Sequence, residues 1–258
     1  ADDRRTISCC RLAVALPRRS AAGTTWEQLT GDQVGALLTA DLLASTPGGR
    51  DRLVASTVVS SRLVPAMCRA AGIHRDETLT GFKWLCRPAI AHPELRQLLA
   101  YEEALGYAVG PTARDKDGIA AAVALLCALG AWRRDGRSAW DVLDDLARRH
   151  GAHVTRNGSL PLDPSGDPAP TIGALATGSM LGEAEVRTVD HPAPGITRLV
   201  LGDATRVVVR PSGTEPKVKY YVEAIEPVGP DGDVPPAEAA GAHRAERVVA
   251  ALTALLAR

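Results

Sequence analysis

A polar loop between two Val-rich stretches, at residues 207–222, constrains this chain more than any other feature. The segment reads Val-Val-Val-Arg-Pro-Ser-Gly-Thr-Glu-Pro-Lys-Val-Lys-Tyr-Tyr-Val. Its β-branched and aromatic flanks predict two strands, and the Pro and Gly residues between them predict a tight turn. The loop must therefore lie at one end of a sheet, with its polar side chains gathered in a small volume.

The side chains of this loop suit an anion. Two cations supply charge-assisted hydrogen bonds, two hydroxyls supply neutral donors, and a glycine frees backbone N–H groups to form a concave nest. These are the groups that bind a phosphate dianion, so the segment is a candidate phosphate-binding loop. The alternative interpretation is an ordinary hairpin turn with a solvated arginine. The candidate phosphate-binding residues are Arg210, Ser212, Gly213, Thr214 and Lys219.

Lysine is scarce, because 26 of the 30 basic residues are Arg. Arg replaces Lys readily on a solvated surface but not where a compact ammonium is required. All four lysines fall in short motifs: Lys83 in residues 80–84, Lys116 in residues 114–118, and the other two in the loop. This clustering suggests that the lysines mark sites.

A second motif, residues 101–107, contains the adjacent carboxylates Glu102 and Glu103 among apolar neighbours. Such carboxylates accept hydrogen bonds from hydroxyl groups, although an exposed acidic pair is the simpler interpretation. Lys116 precedes a predicted helix that begins at Gly118, and a helix N-terminus favours anions. The alternative for Lys116 is a solvated turn with Asp117 as the helix cap.

Composition excludes several classes of protein. The formal net charge is zero, which argues against a general nucleic-acid or membrane surface. No apolar run is long enough for a membrane-spanning helix, and no signal peptide opens the sequence. Five Cys without CxxC spacing favour reduced thiols and a cytoplasmic location. His150 and His153 are interpreted as surface residues rather than metal ligands, because no third ligand accompanies them.

Periodicity and turn signals predict an α/β unit followed by a small α+β unit. Helices are predicted after the T-x-x-Q capping box at Thr30, and at residues 63–71, 118–132 (apolar all round, hence buried), 138–150 and 237–257. Strands are predicted at residues 12–16, 53–59, 80–85, 185–189, 197–201, 206–210 and 218–226.

Four motifs, TGFKW (80–84), EEALGY (102–107), RDKDG (114–118) and RPSGTEPK (210–217), together resemble the α-D-phosphohexomutases over about residues 11–258. The resemblance implies the family's third domain, an α/β/α layer structure with a mixed sheet, followed by a smaller α+β C-terminal domain. We expect a remnant of the second domain at 1–50, the third domain at 51–155, a linker at 156–182 and the C-terminal phosphate-binding domain at 183–258.

The resemblance also implies roles for the candidate residues. The loop at Arg210 would grip the phosphate of a sugar phosphate, and an acidic residue of the second motif would bond two ring hydroxyls. We favour Glu103 over Glu102 for that contact, with Lys83 and Lys116 beside the sugar. Many relatives have Ser within this loop, where the present chain has Ala104 and Leu105, so one hydroxyl contact that the resemblance implies has no matching side chain.

The family's reaction is reversible phosphate transfer between two hydroxyls of one sugar phosphate. A phosphoserine of the family's first domain donates the phosphate, and Mg²⁺ held by the second domain contacts that phosphoserine. No serine loop is present here, and the three Asp positions of the metal loop hold Thr6, Ser8 and Cys10, which are poor Mg²⁺ ligands. We therefore expect a truncated chain that keeps the substrate-binding parts, binds no Mg²⁺ and has no mutase activity alone.

The missing upstream part has a consequence for association, and a second function is also compatible with the sequence. The remnant at 1–50 should leave Val34, Leu37 and Leu38 exposed and so promote association. The alternative function is a non-catalytic module that binds a sugar phosphate or a protein partner. The sequence leaves open which sugar is bound: glucose, mannose or ribose phosphates.

Overall fold

The computed structural model describes residues 10–20, 23–161, 175–212 and 215–256. They form two compact units, residues 1–145 and 146–258. The division falls within one helix, Ala139–His150, whose first part belongs to the first unit. Part of the predicted linker at 156–182 is strand instead, because residues 156–161 belong to Ala152–Pro161 and residues 180 and 181 form Met180–Leu181. Its residues 162–174 lie outside the described residues.

The first unit is built around a four-stranded mixed sheet with the order β4-β3-β5-β6. Strands β3, β4 and β5 run parallel, and β6 is antiparallel to β5. Its elements in chain order are β1 (Ala15–Ser20), β2 (Gly23–Gln28), α1 (Gly31–Ser45), β3 (Arg52–Thr57), α2 (Leu63–Ala70), β4 (His74–Thr78), α3 (Phe82–Leu85), α4 (Arg87–Ala91), β5 (Arg96–Glu102), β6 (Gly106–Val109), α5 (Gly118–Arg134) and α6 (Ala139–His150). The mixed sheet confirms the fold predicted for this part of the chain.

Helix α1 begins at the predicted capping box. The Thr30 side chain accepts a hydrogen bond from the Gln33 backbone N–H at 3.1 Å, and Thr30 N donates to Gln33 Oε1 at 2.9 Å. The expectation that Val34, Leu37 and Leu38 are exposed is wrong, because all three are at most 1% exposed. Helix α1 packs on the sheet of the first unit instead of lying free.

Two glycines allow α1 to lie directly against β5. A Cβ on Gly35 would lie 2.7 Å from the Tyr101 ring, and a Cβ on Gly31 would lie 2.0 Å from the carbonyl oxygen of Glu103. Side chains at either position would hold the helix away from the sheet. The close approach explains how a helix with small residues on one face can still bury its larger apolar ones.

The predicted strand at residues 12–16 is wrong in its bounds. The structure has a two-stranded antiparallel hairpin, β1–β2, in which Pro17 pairs with Trp26. Helix α6 contacts this hairpin, since Trp140 Nε1 donates to the Pro17 carbonyl at 3.0 Å and the Arg18 guanidinium lies 4.8 Å from the Trp140 ring centroid. The sequence signal ended the strand at Pro17, but an edge strand of a hairpin tolerates proline.

Two further predictions about the first unit are wrong. Residues 80–85 were predicted as a strand, but Gly81 takes φ 102° and its carbonyl accepts from the next turn, which starts helix α3. Helix α5 was predicted to be buried all round. Its Ile119, Val123 and Leu126 are between 56% and 67% exposed, so one face of α5 is open.

The second unit is a six-stranded antiparallel sheet with the order β7-β12-β11-β10-β9-β8, packed against one helix. Its elements are β7 (Ala152–Pro161), β8 (Met180–Leu181), β9 (Ala184–Ala193), β10 (Ile196–Leu201), β11 (Arg206–Pro211), β12 (Lys217–Glu226) and α7 (Val234–Leu256). Alternate residues of β11 and β12 pack with Ala245, Val248 and Leu252 of α7 to form the core. The four predicted strands and the terminal helix of this unit are confirmed.

The opposite face of this sheet carries buried charges. Glu223 lies 3.2 Å from Arg206 and 2.9 Å from His153 Nδ1, and the three side chains are between 2% and 6% exposed. The interpretation of His153 as a surface residue is therefore wrong. A carboxylate between two basic groups explains how each of these side chains is accommodated in the interior.

None of the described helices combines the length and the apolar character needed to cross a bilayer.

Candidate functional site

The candidate residues fall into two groups, one in each unit. The basic loop (residues 210–219) joins β11 to β12 in the second unit, and the acidic turn (residues 102–106) joins β5 to β6 in the first. Each group lies where strands end, which is where side chains and free backbone groups are available to a ligand.

In the basic loop, Arg210 and Lys219 are directly opposite each other in the register of β11 and β12. Side chains at opposed positions of an antiparallel pair lie on the same face with Cβ atoms roughly 5 Å apart, and like charges there are destabilising. The sequence predicted both residues as phosphate ligands, and the structure brings them together on one face of the sheet.

These two cations have unused donors. The Lys219 ammonium has no hydrogen-bond or ion-pair partner within bonding distance among the described residues. Arg210 Nε is buried and likewise has no hydrogen-bond partner in the described part of the chain. The loop therefore presents two positive charges without a carboxylate partner among the described residues, although two other donors of Arg210 are engaged by Tyr221 and Pro211.

Lys217 differs, because it pairs with Glu215 at 2.6 Å. This hydrogen bond and the Lys217 charge hold the pKa of the Glu215 carboxyl below its ordinary value. The backbone N–H of Ser212 donates to the Lys217 carbonyl at 2.8 Å and closes the base of the loop. Gly213 and Thr214, the other two predicted phosphate ligands, lie outside the described residues.

The acidic turn is a short β-hairpin loop. Glu102 ends β5 and pairs with Gly106, the first residue of β6. Leu105 takes the left-handed conformation with φ 64°, which lets three residues connect the strands. The turn therefore projects the two glutamates from the carboxyl end of β5, the edge at which ligands of parallel sheets bind.

Glu102 and Lys116 meet at Gly106. A Cβ on Gly106 would lie 2.8 Å from Glu102 Oε1 and 2.9 Å from Lys116 Cδ. Only glycine therefore leaves room for both side chains to lie over this position. The Lys116 ammonium also lies 4.9 Å from the centroid of the buried Phe82 ring. The structure thus assembles a carboxylate, an ammonium and an aromatic ring from three of the sequence motifs.

The Glu102 carboxylate is free for a ligand in this arrangement. Its residue is only 7% exposed, yet no hydrogen bond or ion pair engages its carboxylate among the described residues. A buried carboxylate without a protein partner is costly, and ligand hydroxyls would lower that cost.

Glu103 is engaged differently, since Thr57 Oγ1 donates to its Oε2 at 3.3 Å. Burial is the largest cause that raises the pKa of Tyr107, and the nearby charges of Asp32 and Glu103 raise it further. Lys83 is exposed on α3, where its Nζ lies 5.8 Å from the Trp84 ring centroid. No described contact joins Lys83 to Glu102 or Lys116.

Sequence reasoning missed a polar cluster beside the acidic turn. The hydroxyls of Thr57 and Ser60 are 2.8 Å apart at the end of β3, and the Ser61 N–H donates to Asp32 at 2.7 Å. Tyr101 Oη also donates to Asp32, at 3.2 Å. The available signal was the hydroxyl-rich run at residues 56–61, directly after a buried strand.

No group of three or more His, Cys, Asp or Glu side chains suitable for a metal ion occurs among the described residues. Thr6 and Ser8 lie outside the described residues, and Cys10 has a free thiol. Mg²⁺ prefers hard oxygen ligands, so a thiol does not suit it. Cys10, which is the described member of these three positions, therefore does not fit the family's metal.

Residues 30–150 match the family model described as phosphoglucomutase/phosphomannomutase, alpha/beta/alpha domain III. Residues 182–227 match the model for the C-terminal domain of the same family. The chain belongs to the α-D-phosphohexomutase family. The two matches occur in the order that the resemblance of the four motifs implied, and they correspond to the C-terminal part of a phosphohexomutase.

Individual phosphohexomutases agree with this assignment. A probable phosphoribomutase of Schizosaccharomyces pombe is 34% identical over 232 residues, which is 76% of this chain and 39% of that protein. A probable phosphomannomutase of Haemophilus influenzae is 32% identical over 222 residues, which is 83% of this chain and 44% of that protein. The chain thus spans about two fifths of the length of these phosphohexomutases.

Solved phosphohexomutase structures share the fold. The crystal structure of pp63/parafusin, a phosphoglucomutase from Paramecium in its open form, superposes with a TM-score of 0.64 at 18% identity. The match covers 89% of this chain and 43% of the Paramecium chain.

Proposed function

We propose that this chain carries the phosphate-binding and sugar-recognition parts of a phosphohexomutase, whose reaction is intramolecular phosphate transfer on a sugar phosphate. One observation carries the proposal: Arg210 and Lys219 are placed directly opposite each other without a neutralising carboxylate between them. A dianionic phosphate would turn this repulsion into two charge-assisted contacts. Ser212, Gly213 and Thr214 would add neutral donors.

We assign sugar recognition to Glu102, in preference to Glu103. Glu102 supplies a buried carboxylate without a protein partner among the described residues, beside the side chain of Lys116, whose ammonium lies 3.1 Å from Asp115. Glu103 already accepts a hydrogen bond from Thr57. Glu102 would accept hydrogen bonds from sugar hydroxyls, and Lys116 would donate one to a sugar oxygen. Lys83 is left without an assigned contact, and the choice among glucose, mannose and ribose phosphates stays open.

Phosphate transfer itself requires a phosphoryl donor and charge neutralisation at the reacting oxygens. The sequence contains no serine loop of the family's kind, and its metal-loop positions hold Thr6, Ser8 and Cys10. We therefore propose that the chain binds a sugar phosphate but does not isomerise it by itself. Its odd number of unpatterned cysteines favours the cytoplasm as the location of this binding.

Titration calorimetry on the purified chain tests the proposal, with glucose 6-phosphate, ribose 5-phosphate and unphosphorylated glucose as ligands. Hydrogen bonds to charged groups contribute about 1.5–3 kcal/mol each, so glucose should bind at least about a hundredfold more weakly than glucose 6-phosphate. A coupled assay of glucose 1-phosphate conversion with Mg²⁺ and glucose 1,6-bisphosphate should give no turnover above buffer.

Equal affinity for glucose and glucose 6-phosphate would remove phosphate recognition from the proposal. Turnover in the coupled assay would show that the chain supplies its own phosphoryl donor. Absence of binding by all three ligands would favour the alternative, a module for a protein partner.

Replacing Glu102 with glutamine should lower the affinity for glucose 6-phosphate by about tenfold or more, because an amide oxygen accepts more weakly than a carboxylate. Glu103→Gln is the matched control, with the same chemical change on the next residue, and should leave the affinity within about twofold. Inorganic phosphate, which lacks hydroxyls on a sugar ring, should bind both variants as it binds the parent. A larger loss for Glu103→Gln would give the sugar contact to Glu103.

A further inference from the structure

Tyr221 lies beside Arg210 on the sheet face that carries the basic loop's charges. It is 7% exposed and belongs to β12, two residues after Lys219. In the register of the two strands Tyr221 pairs with Val208, which places it diagonally from Arg210 on the same face. Its neighbour Tyr220 points to the other face and packs against the core under α7.

The Tyr221 hydroxyl holds one end of the guanidinium. Arg210 Nη2 donates to Tyr221 Oη at 3.0 Å, and the guanidinium carbon lies 5.7 Å from the ring centroid. The other described contact of the guanidinium is longer, 3.4 Å from Nη1 to the Pro211 carbonyl. Because a guanidinium is planar and rigid, fixing Nη2 sets the direction of the remaining donors.

We infer that Tyr221 is a positioning residue for phosphate binding, acting through Arg210; this inference rests on the proposed function. The repulsion from Lys219 would turn the Arg210 side chain away from the loop when no anion is bound. The buried ring of Tyr221 cannot follow such a movement, so its hydroxyl keeps the guanidinium in place. The anion then meets two cations that are already oriented, and less side-chain entropy is lost on binding.

The test is a double-mutant cycle with glucose 6-phosphate and with inorganic phosphate as probes, measured by calorimetry on the full chain. Tyr221→Phe removes the hydroxyl, keeps the ring, and should weaken binding of both probes by about threefold to tenfold. Tyr220→Phe makes the same change on the opposite face and should leave binding unchanged. In the Arg210→Ala background, Tyr221→Phe should have no additional effect.

The possible outcomes separate the two proposals. If Arg210→Ala does not weaken binding, the proposed function of the loop fails. If Arg210→Ala weakens binding but Tyr221→Phe does not, the role of Tyr221 is wrong. If the loss caused by Tyr221→Phe persists in the Arg210→Ala background, or Tyr220→Phe gives an equal loss, Tyr221 does not act through Arg210 and the inference is overturned.

Discussion

Replacing Arg210 and Lys219 together with methionine is expected to reduce the affinity for glucose 6-phosphate by about a hundredfold or more. Methionine keeps an unbranched apolar stem at both positions and removes the charges together with their N–H donors, including the one that Arg210 donates to Tyr221. Each hydrogen bond to a charged group is worth about 1.5–3 kcal/mol, and each 1.4 kcal/mol corresponds to a factor of about ten. Calorimetric titration of the double variant and the parent measures the loss.

Lys219→Met alone should unfold at a higher denaturant concentration than the parent, because it removes the repulsion and keeps the hydrogen bond from Arg210 to Tyr221. Like charges at opposed positions of neighbouring strands destabilise the pairing, and the substitution removes that cost. Affinity and stability should therefore change in opposite directions, which is typical of a site that is strained in the absence of its ligand. A salt titration of the parent should give the same gain in stability by screening.

Lys217→Met is the matched control for this experiment. Lys217 belongs to the same loop, but Glu215 already neutralises it at 2.6 Å. Its replacement should leave the affinity nearly unchanged and give no gain in stability. A Lys219→Met variant that loses stability as well as affinity would show that Lys219 supports the fold, and would contradict the interpretation that it repels Arg210.

The second unit could be predicted well from sequence because its signals are local. Runs of β-branched residues alternate with turn residues, so the strands predicted at 197–201, 206–210 and 218–226 agree with Ile196–Leu201, Arg206–Pro211 and Lys217–Glu226. The strand Ala152–Pro161, whose sequence is rich in polar residues, was missed. Pairing of two of these strands through one short loop then places Arg210 and Lys219 near each other. The role of Tyr221 was not visible, because it depends on which face of the strand each tyrosine occupies.

The first unit was harder to predict because its determinants are not local. The central strand Arg96–Glu102 was missed although it ends in the acidic turn, and the chain turns into a helix at Gly81 instead of continuing as a strand. The exposed face of α5, with Ile119 and Val123, is as apolar as its buried face, so hydrophobicity does not distinguish the two faces. Hydrophobicity shows that a helix is apolar, whereas the sheet decides which side is covered.

The choice between the two glutamates shows the same limit. Glu102 ends β5 and Glu103 begins the turn, and because both carry the same carboxylate they differ only through their surroundings. Sequence resemblance favoured Glu103. The structure gives Glu103 a hydrogen bond from Thr57 and leaves the carboxylate of Glu102 beside Lys116 at Gly106. The deciding residue is Gly106, whose missing side chain makes room for both groups.

Replacing Gly31 with alanine is expected to destabilise the first unit by about 3 kcal/mol or more, beyond the usual range for overpacking. A Cβ at this position would lie 2.0 Å from the Glu103 carbonyl oxygen and 2.7 Å from its carbon. Glu103 directly follows the last residue of β5, and its backbone atoms cannot rotate away as a flexible side chain can, so α1 must move. The hydrogen bond from Tyr107 Oη to the Gly31 carbonyl, 3.1 Å long, would be strained as well.

Urea unfolding followed by tryptophan fluorescence measures this effect in the first unit alone. All four tryptophans of the chain lie within residues 1–145, at positions 26, 84, 132 and 140. Gly49→Ala is the control in the same unit, because a Cβ on Gly49 would have no atom within 4 Å. That variant should be neutral or slightly more stable, since alanine restricts the unfolded chain more than glycine does.

The comparison of the two glycine variants also decides whether α1 belongs to the sugar-recognition unit. If α1 holds the backbone of the acidic turn in place, Gly31→Ala should also weaken glucose 6-phosphate binding at urea concentrations where the chain is still folded. Inorganic phosphate binding at the basic loop should be unchanged, because Arg210 and Lys219 lie in the other unit. Equal unfolding midpoints for Gly31→Ala and Gly49→Ala would mean that α1 does not dock at the end of β5. In that case the helix would be the detached remnant that the sequence had suggested.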